Sequence, residues 1–151
     1  MNAELRPRVI SPPIADPPPA EAACQDVVRS VYEAIDSGRA SDAVARYTED
    51  AVFETARGRK LVGTAAIAAA MAAREADTGR VTRHVLTGLR VTATGGAEAR
   101  LVGTLSVFLL SGPSPDDPEL TSALDIGLSL RDGAWRIHRH ASTPLADGDA
   151  R

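Results

Sequence analysis

One histidine of the chain lies where its imidazole could transfer protons. His84 is in the segment RHVLTGL, within a region where apolar and polar residues alternate as they do along a half-buried strand. An imidazole that faces the interior of a pocket can act as a general acid or base near neutral pH. The alternative is a buried histidine whose ring nitrogens are satisfied by a backbone carbonyl or by water. From the sequence, both interpretations of His84 stay open.

Two further histidines, His138 and His140, are two residues apart and therefore share one face of a strand. A two-residue turn at Asp132-Gly133 would pair Asp125 with His140, which suggests a catalytic Asp–His pair. That face alternates away from the core, so we favour a solvated or interface ion pair for it. No third ligand accompanies the two histidines, and we predict no metal site.

The opposite face of the same hairpin is apolar and is the natural interior face. The turn pairs Leu130 with Trp135, Leu128 with Ile137 and Ile126 with Arg139. An inward Arg139 without an acidic partner could bind an anionic or carbonyl group of a ligand. Its long side chain could instead reach the rim and be solvated there, which is the interpretation that we favour.

Periodicity predicts the elements that position these residues. Apolar spacing and capping residues predict three helices, over residues 21–37, 42–47 and 65–76, the last almost entirely alanine. Alternation and turn residues predict a short strand at 51–56 and four long antiparallel strands at 81–94, 97–110, 120–131 and 134–142. Tight turns are expected at Gly95-Gly96 and Asp132-Gly133. The predicted class is α+β, with three N-terminal helices packed on a strongly curved, mainly antiparallel sheet.

Composition and charge exclude several classes of protein. The chain has 151 residues and a net charge of −3 with no basic run, which argues against nucleic-acid binding. Cys24 is the only cysteine, so neither an intrachain disulfide nor a multi-cysteine metal site is possible. No run approaches 18 apolar residues, so we expect no membrane span. The N-terminus has no signal-peptide pattern, and we expect a cytoplasmic protein.

Proline density sets the domain boundaries. Residues 11–20 contain five prolines, and proline removes backbone donors and restricts its neighbours. We therefore expect residues 1–19 to form a disordered tail and residues 145–151 a flexible C-terminal one. Residues 20–144 then form one domain.

Three segments, in this order, resemble a known superfamily. They are VVRSVYEAIDSGRASDAVARYTEDAVFE, GTAAIAAAM and LRDGAWRIHRH, and together they span about residues 24–142. They look like the nuclear transport factor 2-like superfamily in its SnoaL-like branch. The resemblance implies a cone-shaped α+β barrel, in which helices close a pocket lined by the concave sheet face. The alanine helix would be a thin wall of that cone. The superfamily includes polyketide cyclases, ketosteroid isomerase, dehydratases, dioxygenase beta subunits and non-catalytic binders, so it implies a fold rather than one activity.

The resemblance does not extend to the catalytic groups of ketosteroid isomerase. That enzyme's general base is matched here by Thr55, its oxyanion tyrosine by Val31 (next to Tyr32), and its second pocket acid by Ile126. A threonine cannot shuttle a carbon-bound proton at neutral pH, and aliphatic side chains cannot stabilise an oxyanion. Steroid isomerisation by that mechanism is therefore not expected.

Three functions are compatible with the sequence. We favour a domain that binds a small hydrophobic molecule in a largely apolar pocket, without a cofactor. The first alternative is a cofactor-independent cyclase, dehydratase or isomerase with His84 as acid or base, and with Tyr32 or Arg139 polarising an oxygen of the substrate. The second is a non-catalytic dimeric accessory module. The residues predicted to line the pocket besides His84 and Tyr32 are Phe53, Thr55, Leu86, Leu105, Ile126, Leu128, Trp135 and Arg139.

The outer face of the predicted sheet suggests a partner. It carries more apolar surface than a monomer normally exposes, at Val85, Leu89, Val91, Val102 and Phe108. We therefore expect a homodimer formed through this face.

Overall fold

Helical periodicity followed by alternation produces three helices and six strands among the described residues. The computed structural model describes residues 19–146, so the predicted tails, residues 1–19 and 145–151, lie almost entirely outside the described residues. The helices are α1 (Pro19–Asp36), a 3₁₀ helix (Ala40–Arg46) and α2 (Thr64–Ala76). The strands are β1 (Tyr47–Glu54), β2 (Lys60–Val62), β3 (Thr82–Gly95), β4 (Glu98–Leu109), β5 (Pro118–Arg131) and β6 (Ala134–Pro144).

The strands form one open, curved sheet in the order β2-β1-β6-β5-β4-β3. Neighbouring strands are antiparallel, except that β1 pairs with β6 in parallel. The α+β class with helices packed on a mainly antiparallel sheet is thus confirmed. Two details differ from the prediction. The first strand begins at Tyr47 rather than Ala51, and β2 was not predicted because a run of three residues carries no periodicity.

The hydrophobic core lies between α1 and the inner face of the sheet. Cys24, Val28 and Val31 form one stripe of α1 and are completely buried, in the same cluster as Leu101 and Ile126. Full burial of one such aliphatic side chain contributes about 1.5–3 kcal/mol relative to its exposure. This stripe therefore fixes α1 on the sheet, and with it the side chains of the last turn of the helix.

Small side chains let α2 pack closely at one end of the sheet. The helix contacts the 3₁₀ helix, β1 and β2, and it buries Ile67 and Met71. Alanine combines the highest helix propensity with small volume, so the rest of α2 needs little space. Arg74, in its last turn, reaches the wall of the pocket described below.

A β-bulge in β6 changes which side chains face the interior. Near the turn, β5 and β6 pair as predicted. The register then shifts, so that Gly127 lies opposite Arg139, and His138 is the extra residue. A Cβ atom on Gly127 would lie 2.8 Å from Cε1 of His138. The glycine therefore leaves the space that the bulge requires.

Two predicted positions beyond this bulge are wrong. Arg139, expected inward and opposite Ile126, lies exposed on the outer face, 3.3 Å from a carboxylate oxygen of Asp125. His140, expected outward and opposite Asp125, is buried opposite Ile126. The reason is that one extra residue in a strand moves the following side chains to the other face. Because Asp125 and His140 now lie on opposite faces, the predicted pair does not form. On the outer face, Asp125 instead accepts two hydrogen bonds from Arg100, of 2.9 and 2.7 Å.

Two register shifts in β3 have the opposite consequence for His84. The hairpin turn lies at residues 96–97, one residue later than the predicted Gly95-Gly96. Because β3 contains two irregularities, the displacement is compensated and His84 keeps its inner position. Leu89 and Val91, expected on the outer face, instead pack against the core.

The sequence predicts a homodimer and no membrane span. The homodimer stays a prediction, on an outer face that keeps Val85, Val102 and Phe108 partly exposed. Its apolar area is smaller than the sequence indicates, because the bulges turn two of the expected residues inward. No helix within residues 19–146 is both long and apolar enough to span a membrane.

Candidate active site

A pocket of about 290 Å³ opens between the end of α1, the β1–β2 connection and the inner faces of β3 and β4. This volume is close to the lower limit of about 300 Å³ that is common for ligand pockets. Five residues predicted for the site line it, namely Tyr32, Phe53, Thr55, His84 and Leu105. Apolar side chains form much of the interior, and arginines form part of the wall.

The other predicted site residues lie elsewhere. Ile126 and Leu128 are completely buried in the core, and Leu86 and Trp135 pack against that core without lining the pocket. They belong to the same cluster as the side chains of α1, which cover this part of the inner face. Arg139 is on the outer face, for the reason given above.

The carboxylate of Asp36, which no sequence motif indicates, holds His84. Asp36, the last residue of α1, places one carboxylate oxygen 2.6 Å from Nδ1 of His84 and the other 2.7 Å from the backbone nitrogen of the same residue. The hydroxyl of Thr82 donates a third hydrogen bond to Asp36, of 3.0 Å. The histidine is thus held at both its main chain and its ring.

The charge of Asp36 determines which nitrogen of His84 carries the proton. Burial raises the pKa of Asp36, but the hydrogen bonds and charge of His84, with the Thr82 hydroxyl, outweigh burial, and the net pKa is below its usual value. An ionised carboxylate only accepts hydrogen bonds, so Nδ1 must be the donor. In the neutral ring, Nε2 then has a free lone pair. It has no hydrogen-bond partner among the described residues, so it can accept a proton from a ligand.

A second histidine is held between two tyrosines. His140 is completely buried, with Nε2 2.8 Å from the hydroxyl of Tyr32 and Nδ1 2.8 Å from that of Tyr47. Its ring stacks on Phe53 at 3.9 Å between centroids. Burial lowers the pKa of His140 to about 3, so the ring is neutral at physiological pH. Burial also raises the pKa values of both tyrosines, which stay protonated.

Counting protons assigns the direction of these hydrogen bonds. A neutral imidazole has one N–H donor and one acceptor, so one tyrosine donates to His140 and the other accepts from it. The tyrosine that accepts has its own hydroxyl proton left over. Tyr47 is buried with no further partner in the described part of the chain, whereas Tyr32 lines the pocket. We therefore assign Tyr47 as the donor, which leaves the proton of Tyr32 for a ligand.

Tyr32 lies between the two histidines. Its ring centroid is 5.0 Å from that of His84 and 5.9 Å from that of His140. The pocket thus places a proton acceptor, Nε2 of His84, beside a hydroxyl that can donate. This pairing suits a ligand in which a carbonyl or hydroxyl oxygen is next to a carbon that loses or gains a proton.

Ser142 adds a further polar group to the wall. Its Oγ is buried without a hydrogen-bond partner among the described residues, and the residue lines the pocket. A buried hydroxyl without a partner costs about 1–3 kcal/mol. A ligand oxygen bound there would satisfy it.

Sequence reasoning missed Asp36, Tyr47 and Ser142, and it placed His140 on the wrong face of the sheet. Asp36 could have been found, because it lies one helical turn after Tyr32 and so on the same face of α1. His140 and Ser142 required the bulge in β6, whose only sequence signal is the glycine opposite it. Tyr47 carries no signal that we recognise. No cluster of three or more metal-ligating side chains occurs in the described part of the chain.

Comparisons with known proteins agree with this fold. No curated protein matches the sequence. An NTF2-like protein with a cystatin-like fold from Novosphingobium aromaticivorans superposes with a TM-score of 0.73, at 21% identity over 85% of this chain and 84% of that one. A candidate scytalone dehydratase from the same organism gives 0.71, at 14% identity over 83% of each chain. A candidate aromatic ring hydroxylase, also from that organism, gives 0.69, at 21% identity over 83% and 88%.

At such identities the solved structures establish a common fold and leave activity open. The sequence itself gives the family, because the profile of the SnoaL-like domain matches residues 19–141, from the start of α1 to the inward-facing part of β6. The match therefore includes both histidines of the pocket and the elements that hold them. This chain belongs to the SnoaL-like domain family.

Proposed function

We propose that this protein is a cofactor-independent enzyme of the dehydratase or isomerase type, which transfers a proton on a small, mainly apolar molecule in the pocket. The observation that carries the proposal is the 2.6 Å contact between Asp36 and His84 beside the hydroxyl of Tyr32. The sequence favours a binding protein without assured catalysis. Asp36 changes that preference, because a histidine oriented by a carboxylate is poised to accept a proton. An open pocket also argues against a purely structural accessory module.

The proposed step begins with a ligand whose carbonyl oxygen accepts the hydrogen bond of Tyr32. Nε2 of His84 removes a proton from the carbon next to that carbonyl, and the electrons of the C–H bond form an enolate. Tyr32 stabilises the negative oxygen, and Asp36 stabilises the imidazolium. In an isomerisation, the proton returns to another carbon. In a dehydration, it goes to a neighbouring hydroxyl, which leaves as water while the enolate becomes an unsaturated ketone.

One protein of similar structure has a name that agrees with this proposal. The candidate scytalone dehydratase has the same fold as this chain. Its name supports the dehydratase version of the reaction without identifying a substrate. The choice between dehydration and isomerisation depends on whether the ligand carries a leaving hydroxyl.

Deuterium exchange tests the proposal without knowledge of the substrate. 2-Tetralone is a small bicyclic ketone, and the hydrogens of the carbon between its carbonyl and its aromatic ring exchange in D₂O when a base removes them. We expect the wild-type protein to accelerate this exchange, measured by proton NMR. The His84→Gln variant should lose about 10²–10⁴-fold of the acceleration, the usual contribution of a general base.

The matched control is His138→Gln, which removes the partly exposed histidine of β6 outside the pocket. It should exchange 2-tetralone at the wild-type rate. Equal rates for wild type and His84→Gln would contradict the proposal. A wild type no faster than buffer would favour the binding protein instead.

A further inference from the structure

The wall of the pocket carries more positive charge than its neighbouring carboxylate can neutralise. Four arginines line the pocket, which we call the arginine rim: Arg57, Arg59, Arg74 and Arg80. Glu119 is the only carboxylate among the lining residues, so four positive charges less one negative charge leave three. Including Asp36, which lies behind His84, still leaves two. The excess contrasts with the net charge of −3 of the whole chain.

Within the rim, the arginines differ in how far they are already paired. Glu119 forms ion pairs with Arg80 and, at 3.5 Å, with Arg57. Arg74 makes no ion pair with any described residue and donates one hydrogen bond, of 3.0 Å, to the hydroxyl of Thr82. A guanidinium has five N–H donors, so Arg74 keeps most of its donors for other partners. The residue is half-buried, which weakens the screening of its charge by solvent.

From these observations we infer that the ligand of the pocket is an anion, an apolar molecule with a carboxylate that binds the guanidinium of Arg74. This inference rests on the proposed function and names the substrate class of the same site. The carboxylate lies at the arginine rim, while the reacting part of the molecule lies at Tyr32 and His84. Arginine suits this role because its planar fork binds a carboxylate through two parallel hydrogen bonds.

The competing explanation is that Arg74 only positions the Asp36–His84 pair. Its hydrogen bond to Thr82 continues to Asp36 and from there to His84. In that case, loss of Arg74 would affect charged and neutral ligands to the same extent. If Arg74 binds the carboxylate directly, the loss of affinity on its removal must instead be larger for a charged ligand than for a neutral one.

A matched pair of probes separates the two explanations. 2-Naphthoate and 2-naphthamide have the same rings and nearly the same shape, and only the first is charged. We expect the wild type to bind naphthoate about 10- to 100-fold more tightly, as is typical of hydrogen bonds to charged groups. Titration calorimetry measures both affinities, and the preference should shrink as salt is added. Arg74→Met should remove most of the preference, and Arg74→Lys should keep part of it.

Two controls make the outcome specific. Arg29→Met removes the same charge from an exposed position of α1 outside the pocket and should leave the preference unchanged. Calorimetry measures binding and not proton transfer, so a failure of catalysis would not affect this result. The inference is overturned if neither probe binds, if both bind the wild type equally, or if the preference survives Arg74→Met. If Arg74→Met lowered the affinity for both probes by the same factor, the inference would likewise be overturned, in favour of a positioning role for Arg74.

Discussion

The Asp36→Asn variant is expected to exchange 2-tetralone about 10²–10⁴-fold more slowly than the wild type, with little change in KM. Asparagine keeps the shape of the side chain but is neutral, and its amide group can donate to Nδ1 of His84. The ring proton then moves to Nε2, and the lone pair that should accept the ligand's proton is lost. The effect should therefore appear in kcat, although His84 itself is still present.

Asp125→Asn is the matched control, because it removes a carboxylate that binds Arg100 and Arg139 on the outer face. Its exchange rate should equal that of the wild type. Thermal unfolding of both variants checks that they are folded. An Asp36→Asn protein that is folded and as fast as the wild type would mean that the carboxylate does not orient the base.

The second large effect concerns stability. Replacing His140 with leucine is expected to lower the free energy of unfolding by about 3–5 kcal/mol at neutral pH, because two buried tyrosine hydroxyls lose their partner. His138→Leu removes a partly exposed ring and should change the same free energy by about 0.5 kcal/mol or less. Urea unfolding measures both. A cost for His140→Leu as small as that of the control would contradict the buried arrangement.

The same histidine makes stability depend on pH. The pKa of His140 is about 3 in the folded protein and about 6.5 in the unfolded chain, where the ring is solvated. Below pH 6.5 the unfolded chain therefore binds a proton that the folded protein excludes. The contribution of His140 to the free energy of unfolding should be fully present above pH 6.5. It should be lost progressively towards pH 3, by up to about 1.4 kcal/mol per pH unit. The His140→Leu variant should lack this part of the slope, and an unchanged slope would show that another group causes it.

The general architecture was predictable because the long helices and strands each repeat a simple pattern. Apolar spacing fixed α1, small residues fixed α2, and alternation with Gly-containing turns fixed the four long strands. The faces of those strands were predictable only up to the first irregularity. Two of the glycines inside the paired strands, Gly103 and Gly127, lie opposite extra residues of the neighbouring strand. An isolated glycine in a strand is a signal for a bulge, but it does not say which residue will be the extra one.

The positions of the candidate site residues were likewise predictable only where strand irregularities did not change the face. His84 lies on the inner face as predicted, because the errors in turn position and register in β3 cancel. Arg139 and His140 exchanged faces because a single extra residue in β6 remained uncompensated. Asp36 required knowledge of how α1 crosses the sheet, since its partner His84 is 48 residues away in sequence. Such pairing over a long sequence distance comes from tertiary packing and leaves no local pattern.

The most direct test of the account is a crystal structure with 2-naphthol, which mimics the enol of 2-tetralone. The naphthol oxygen should lie within about 2.6–3.2 Å of the Tyr32 hydroxyl, a normal hydrogen-bond distance. The carbon between the oxygen-bearing carbon and the second ring should lie within about 3–3.5 Å of Nε2 of His84, the separation of reacting atoms. Naphthol bound outside the pocket, or inside it with that carbon turned away from His84, would contradict proton transfer by the Asp36–His84 pair.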